Sequence, residues 1–176
     1  FDGILDNQPS TILAADLNPA GAQYAAYTEL RWRFADAWTI DLGLRWDQQN
    51  YTTSEDDRQY SPRAGVLYQP GENTEIRFGW GQYYQAQEIN ELQVSDGVTD
   101  FAPAQQAEHT VLSLQFELQP GVDASVSAYR KSFRRLHARF ENSFNALTLL
   151  PELQFDRIML NPSGAEAIGA EAMLRG

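Results

Sequence analysis

Few side chains in this sequence are of types that do chemistry, and those few stand far apart. The only histidines are His109 and His137, and no cysteine accompanies them. A thiolate nucleophile and a disulfide framework are therefore excluded, and a metal cluster lacks its usual ligands. No G-x-S-x-G, Walker A or H-E-x-x-H string occurs. Gly79-Trp80-Gly81 lacks the third glycine and the helix that a dinucleotide fingerprint needs. Asn50-Tyr51-Thr52 matches a glycosylation sequon no more often than chance allows. These residues predict no catalytic site, no cofactor and no resident metal.

Charge is more informative. The net charge is −11, and the basic residues are twelve arginines and Lys131. So acidic a chain argues against nucleic acid as the main partner. The acids cluster: Glu55, Asp56 and Asp57 stand against Arg58, and Gln85–Glu108 holds Glu88, Glu91, Asp96, Asp100 and Glu108 without a basic residue. Such stretches serve as solvated surface or as a site for a divalent cation or cationic ligand, and the spacing is not that of an EF-hand. The opposite patch is Arg130-Lys131-Ser132-Phe133-Arg134-Arg135, with Arg139 beyond it. Arginine pairs well with phosphate, although the same patch could balance lumen charge or meet an anionic substrate.

These residues must be held by strands, because apolar positions recur at period two rather than 3.6. From Tyr24 the even positions read Tyr24, Ala26, Thr28, Leu30, Trp32 and Phe34, while Glu29, Arg31 and Arg33 take the other face. After Ala35-Asp36-Ala37 the pattern resumes with Trp38, Ile40, Leu42, Leu44 and Trp46. A third strand spans about Tyr60 to Gln69. Pro70-Gly71 then predicts a type II turn with glycine at positive φ. Ile76, Phe78, Trp80 and Tyr84 mark a fourth strand, with Glu75, Arg77, Gly79, Gly81 and Tyr83 on its other face. Thr110 to Leu118 mark a fifth, Gln119-Pro120-Gly121 a turn, Asp123–Arg135 a sixth, and a seventh starts near Ile168.

The connections alternate strictly between short and long, the long ones being about Gln48–Gln59, Gln85–Ala107 and Leu136–Ala167. That asymmetry predicts an all-β, antiparallel up-and-down meander of about seven strands, tight turns at one end and large loops at the other, as in a transmembrane barrel. No run approaches the roughly 18 apolar residues of a membrane helix, which such a barrel does not need. Trp38 and Trp46 share a face and would lie about 20 Å apart along a tilted barrel axis, as two aromatic girdles should. Trp32, Phe34, Trp38 and Tyr68 would form the girdle near the turns, and Tyr24, Trp46, Tyr60 and Tyr84 the other. The opposite face carries Glu29, Arg31, Arg33, Asp41, Arg45, Arg63, Glu75, Arg77 and Glu117, too much charge for a dry core. Its glycines Gly43, Gly65, Gly79 and Gly81 either leave room for something packed inside or mark local bends.

Several stretches resemble the barrel of TonB-dependent outer-membrane receptors. Tyr24-Ala25-Ala26-Tyr27-Thr28-Glu29 resembles the family's strand opening, and Leu42-Gly43-Leu44-Arg45-Trp46-Asp47 its G-L-R-Y-D strand end. Ser61-Pro62-Arg63-Ala64-Gly65-Val66-Leu67-Tyr68 is similar to S-P-R-x-G-x-x-Y. Phe78-Gly79-Trp80-Gly81-Gln82-Tyr83-Tyr84 followed by Glu91-Leu92 resembles Y-G-x-G-F-R-A-P … E-L, and Gly169-Ala170-Glu171 a later G-x-E. Gln85-Ala86-Gln87 departs from the family's Arg-Ala-Pro. The resemblance implies residues 1–176 as a partial barrel domain within about 22 strands, its plug domain and TonB box lying outside the chain. The start at Phe1 and the stop at Gly176 are read as cuts through a larger protein.

The resemblance further implies a bacterial outer-membrane receptor importing a bulky, scarce nutrient such as a ferric siderophore, energised by the TonB complex through the plug. Recognition is expected in the long loops. Tyr83, Tyr84, Gln87 and Phe101, in and beside the second of these, are the candidate substrate-binding residues. At the loop end of the sixth strand, Arg130 and Arg134 would contact lipopolysaccharide. The rival readings are a passive outer-membrane channel and a soluble all-β carbohydrate-binding domain.

Overall fold

A computed structural model of the protein describes residues 20–52, 58–91, 100–142, 147, 149 and 157–176. The long strands are β1 (Gln23–Ala35), β2 (Trp38–Gln49), β3 (Arg58–Gly71), β4 (Thr74–Gln85), β5 (Gln105–Gln119) and β6 (Val122–Arg134). Two short strands, β7 (Arg139–Asn142) and β8 (Arg157–Leu160), precede β9 (Gly164–Arg175). The seven long strands form one sheet in the order β1-β2-β3-β4-β5-β6-β9, with every pair antiparallel. This is the meander that period-two patterning predicts.

Register carries the alternation across the whole sheet. Trp32, Ile40, Val66, Phe78, Leu112, Ala128 and Ala170 lie side by side in one row. One step along the strands, on the opposite face, the row is Arg31, Asp41, Gly65, Gly79, Val111, Tyr129 and Gly169. A register slip of one residue would exchange these faces, so the pattern fixes the pairing.

The apolar face is uncovered. Among the described residues only Ala104, Ala124 and Phe140 are buried apolar side chains, while Leu30, Trp32 and Leu112 are 57%, 58% and 53% exposed. A soluble sandwich would lay a second sheet on this face. The other described sheet is only the β7–β8 ribbon. An apolar surface this wide needs a cover that the described residues do not supply.

The short ends are tight and aromatic. The turns are Asp36-Ala37, Glu72-Asn73 and Pro120-Gly121, each flanked by a register shift: Arg33/Ala35, Tyr68/Gly71 and Glu117/Gln119. Trp38 stacks on Tyr68 with ring centroids 4.2 Å apart, and Phe34 bridges Trp32 and Trp38 at 5.7 and 6.1 Å. The aromatic cluster expected at this end is therefore formed.

Three expectations need correction. Gly71 ends β3 and opposes Thr74, so the turn is Glu72-Asn73 and the positive-φ glycine is Gly121, at 82°. The bulge at Tyr68/Gly71 takes up the bend that a type II turn would have supplied. The last long strand begins at Gly164 rather than near Ile168. Its alanines, Ala165 and Ala167, are too small to show alternation. The third long connection is not all loop: Arg139–Asn142 pairs with Arg157–Leu160.

Candidate functional site

The polar face is built from charges that answer one another. Arg31 on β1 grips Asp41 on β2 in a fork, Nε–Oδ1 2.6 Å and Nη2–Oδ2 3.2 Å. Arg45 donates to Asp47 two residues along the same strand, Nη2–Oδ1 2.7 Å and Nε–Oδ2 2.8 Å. Arg77 pairs with Glu75, which also accepts from Gln69 Nε2 at 3.2 Å. Period two makes i and i+2 neighbours on one face, so these same-strand pairs follow from the spacing.

Between these charges the wall is hollow. A concavity of about 700 Å³ is floored by Gly43, Gly65, Gly79 and Gly81. Gly65 and Gly79 oppose one another directly, and no register shift falls at any of the four. They therefore leave space rather than bend strands. At Gly79 an added Cβ would meet nothing within 4 Å. At Gly81 it would lie 2.9 Å from the Tyr83 hydroxyl, because the Tyr83 ring folds down over that glycine. His109 stands beside that ring at 4.9 Å and the Arg63 guanidinium sits over it at 5.7 Å.

The long connections converge at the other end of the strands. Tyr51, in the first, packs edge-on against Phe101 of the second at 5.2 Å and donates its hydroxyl to the Gln87 carbonyl at 3.0 Å. The Gln87 carboxamide accepts from Ala102 N at 2.9 Å and donates to Glu91 O at 3.1 Å, closing the loop around the 3₁₀ turn Ile89–Glu91. His137 of the third connection donates to Pro103 O at 3.3 Å. Three loops are thus tied through one short segment.

Of the expected substrate residues, Tyr83 lies on the polar face and Tyr84 on the other, where its hydroxyl accepts from Gln106 Nε2 at 3.0 Å. Gln87 is buried and its carboxamide is engaged within the loop, while Phe101 is half-buried against Tyr51. The structure joins Gln87 and Phe101 in one cluster but does not bring the two tyrosines together. Arg134 ends β6 on the apolar-face side, whereas Arg130 lies four residues further in on the same face, in the row of Leu42, Ala64, Trp80 and Thr110, and pairs with Glu166. Glu55, Asp56, Asp57 and Asp96 lie outside the described residues. Among the described residues no group of three or more metal-ligating side chains occurs.

Sequence reasoning missed a glutamine-lined cavity of about 370 Å³ at the loop end of the polar wall. Gln23, Gln49, Gln59 and Gln85 line it, beside the Arg45–Asp47 pair. Gln23 and Gln49 oppose one another across β1 and β2, and Asp47 opposes Gln59. The signal was present. Carrying the odd-position face two residues past Asp47 reaches Gln49, which the loop boundary at Gln48 had cut off.

A model of the family described as TonB dependent receptor-like, beta-barrel, matches residues 4–158. No curated protein matches significantly. Among solved structures, the siderophore receptor PirA from Acinetobacter baumannii aligns over 86% of this chain and 25% of its own, with TM-score 0.62 and 16% identity. The alcaligin outer membrane receptor FauA from Bordetella pertussis aligns over 86% and 26%, with TM-score 0.55 and 20% identity. P. aeruginosa FpvA, solved with heterologous pyoverdines, aligns over 86% and 20%, with TM-score 0.56 and 14% identity. At such identities the likeness is one of fold, and the chain spans about a quarter or less of each receptor's length.

Proposed function

The chain belongs to the TonB-dependent receptor β-barrel family, and from that premise we propose that it is part of the wall and mouth of a bacterial outer-membrane importer. The observation that carries this reading is one sheet with opposite demands on its faces. An exposed apolar row faces lipid, and the charged, glycine-floored face lines the lumen. The whole of 1–176 then lies in a barrel of about 22 strands, with plug domain and TonB box elsewhere in the polypeptide. Transport is energised through TonB and involves no chemical conversion.

The solved siderophore receptors of the same fold favour a ferric siderophore as the nutrient. The ligand enters at the loop end, where Tyr83 offers an aromatic face on the lumen wall, while the Tyr84 side chain stays on the opposite face with Gln106 and supports the strand end. Gln87 and Phe101 act by holding the second loop over that mouth. On the lipid side of the same end, Arg130 and Arg134 contact lipopolysaccharide phosphates, Glu166 competing for Arg130.

Removal of Gln87–Ala102 from the full-length receptor should abolish growth on the ferric siderophore while heat-modifiable migration on a gel is retained. Uptake should also vanish in a strain lacking TonB. Unimpaired uptake in that strain would establish the passive-channel reading instead.

A further inference from the structure

The sheet opens where one of its ladders stops early. β2 pairs with β3 as far as Arg58, and β4 with β5 as far as Gln85, yet β3–β4 pairing ends at Arg63↔Gly81. Pro62, the next residue, has no N–H to donate. Beyond it a cavity of about 330 Å³ lies in the seam, lined by Arg58, Tyr60, Pro62, Gln82, Tyr84 and Arg135. By parity Tyr60, Pro62, Gln82 and Tyr84 all point to the apolar face. A second cavity shares Pro62 with it, an apolar groove of about 400 Å³ that runs from Thr28 and Leu30 on β1 to Trp80 on β4. Ala64 floors the groove between Leu42 and Trp80, its two cross-strand neighbours. Crossing four strands at about 4.8 Å spacing, it is about 14 Å wide.

Depth and charge together describe an amphiphile. Tyr60 and Tyr68 share a face about 20 Å apart along a tilted barrel axis, so Tyr60 stands at the far edge of the apolar band and Arg58 just beyond it. Among the described residues the charged lining of the upper cavity is Arg58 and Arg135, without an acid. Glu108 opposes Gln82 but stands outside the lining. Both arginines already make an interaction within the chain, and a guanidinium with five donors can serve a further acceptor. Two guanidiniums at one cavity suit a phosphate. A free phosphate would leave the groove below empty, and a neutral lipid would make no use of the arginines.

We propose that the β3–β4 seam binds one molecule of lipid A, with a phosphate held by Arg58 and Arg135 and an acyl chain laid over Pro62 and Ala64. Arg130 and Arg134 line neither cavity. The inference rests on the outer-membrane reading, in which the long loops face outward, into the leaflet whose phosphorylated lipid is lipid A.

The test is titration of the delipidated, detergent-purified full-length receptor with bisphosphorylated hexa-acyl lipid A, read by native mass spectrometry. One lipid A should bind, at least about tenfold tighter than phosphatidylglycerol or lipid A freed of both phosphates. Arg58→Gln together with Arg135→Gln should weaken it roughly tenfold or more. Ala64→Phe, which fills the groove and leaves the arginines in place, should weaken it severalfold. Arg33→Gln removes the same charge at the turn end and should leave the affinity unchanged. Should the double variant not assemble, Arg135→Gln alone, outside the β3–β4 ladder, carries the arginine half of the test. Phosphatidylglycerol binding as tightly as lipid A, undiminished affinity in an assembled arginine or Ala64 variant, or an equal loss in Arg33→Gln would each overturn the proposal. Assembly separates this from failure of the outer-membrane reading. A heat-modifiable barrel whose lipid A affinity ignores these positions sinks the seam site alone, whereas a receptor that stays monodisperse without detergent and binds no lipid sinks the membrane reading.

Discussion

The two ends of the same seven strands are built on different principles. At the turn end, connections are two residues long, bulges absorb the bend, and Trp38 stacks on Tyr68 at 4.2 Å. Polar groups there are answered locally, as where Arg33 Nη2 donates to Asp36 O at 2.7 Å. At the loop end the ties are long-range, Tyr51 reaching Gln87 across 36 residues. One buried carboxamide there remains unanswered. The turn end is a closed scaffold held by near neighbours, whereas the loop end is held by ties between connections far apart in sequence.

The largest effect should come from the strand middles that both ends share. Leu42 lies mid-strand on the apolar face and Gly43 on the polar one. In the full-length receptor Leu42→Arg should cost roughly 2–4 kcal/mol of barrel stability. Gly43→Ser should be mild, since an added Cβ meets only ordinary contacts at 3.8 Å. A refolding titration decides it, and equal damage from the two would reverse the faces.

A dissociation between the ends should follow at smaller size. Trp38→Ala removes a stacked pair and should lower stability by roughly 1–2 kcal/mol with uptake per assembled receptor unchanged. Tyr51→Ala cuts the tie between two loops and should lower uptake severalfold with the unfolding midpoint almost fixed. If Tyr51→Ala unfolded the barrel and Trp38→Ala stopped uptake, the division of labour would be wrong.

That division also explains what the sequence disclosed. Strands such as Trp38–Gln49 are legible because their two faces meet different surroundings, and alternation records it in every residue. The ribbon Arg139–Asn142 with Arg157–Leu160 is not, since four residues are too few to show a period and the pairing spans the chain between them. The brace through Gln87 depends on Tyr51 and Ala102, neither of them its sequence neighbour. Gln49 was hidden for a simpler reason: a polar residue near a strand end reads as loop until parity is carried through it.

The smallest expected effect is the most diagnostic of what covers the polar wall. Arg31 and Asp41 form a cross-strand fork, yet their side chains are 77% and 44% exposed in this chain. With the wall open to water, a double-mutant cycle with Arg31→Met and Asp41→Asn should give a coupling below about 1 kcal/mol. That coupling should fade as salt is raised, because exposed charges are screened. In the intact importer the plug would exclude water from this face, so the same pair would be less screened and its coupling would persist at high salt. The measurement is therefore made twice, in full-length receptor and in receptor with the plug deleted, across a salt series. Salt-resistant coupling only with the plug present means that the wall is a covered lumen. The same salt-sensitive value in both means a water-filled one, and the passive-channel reading gains.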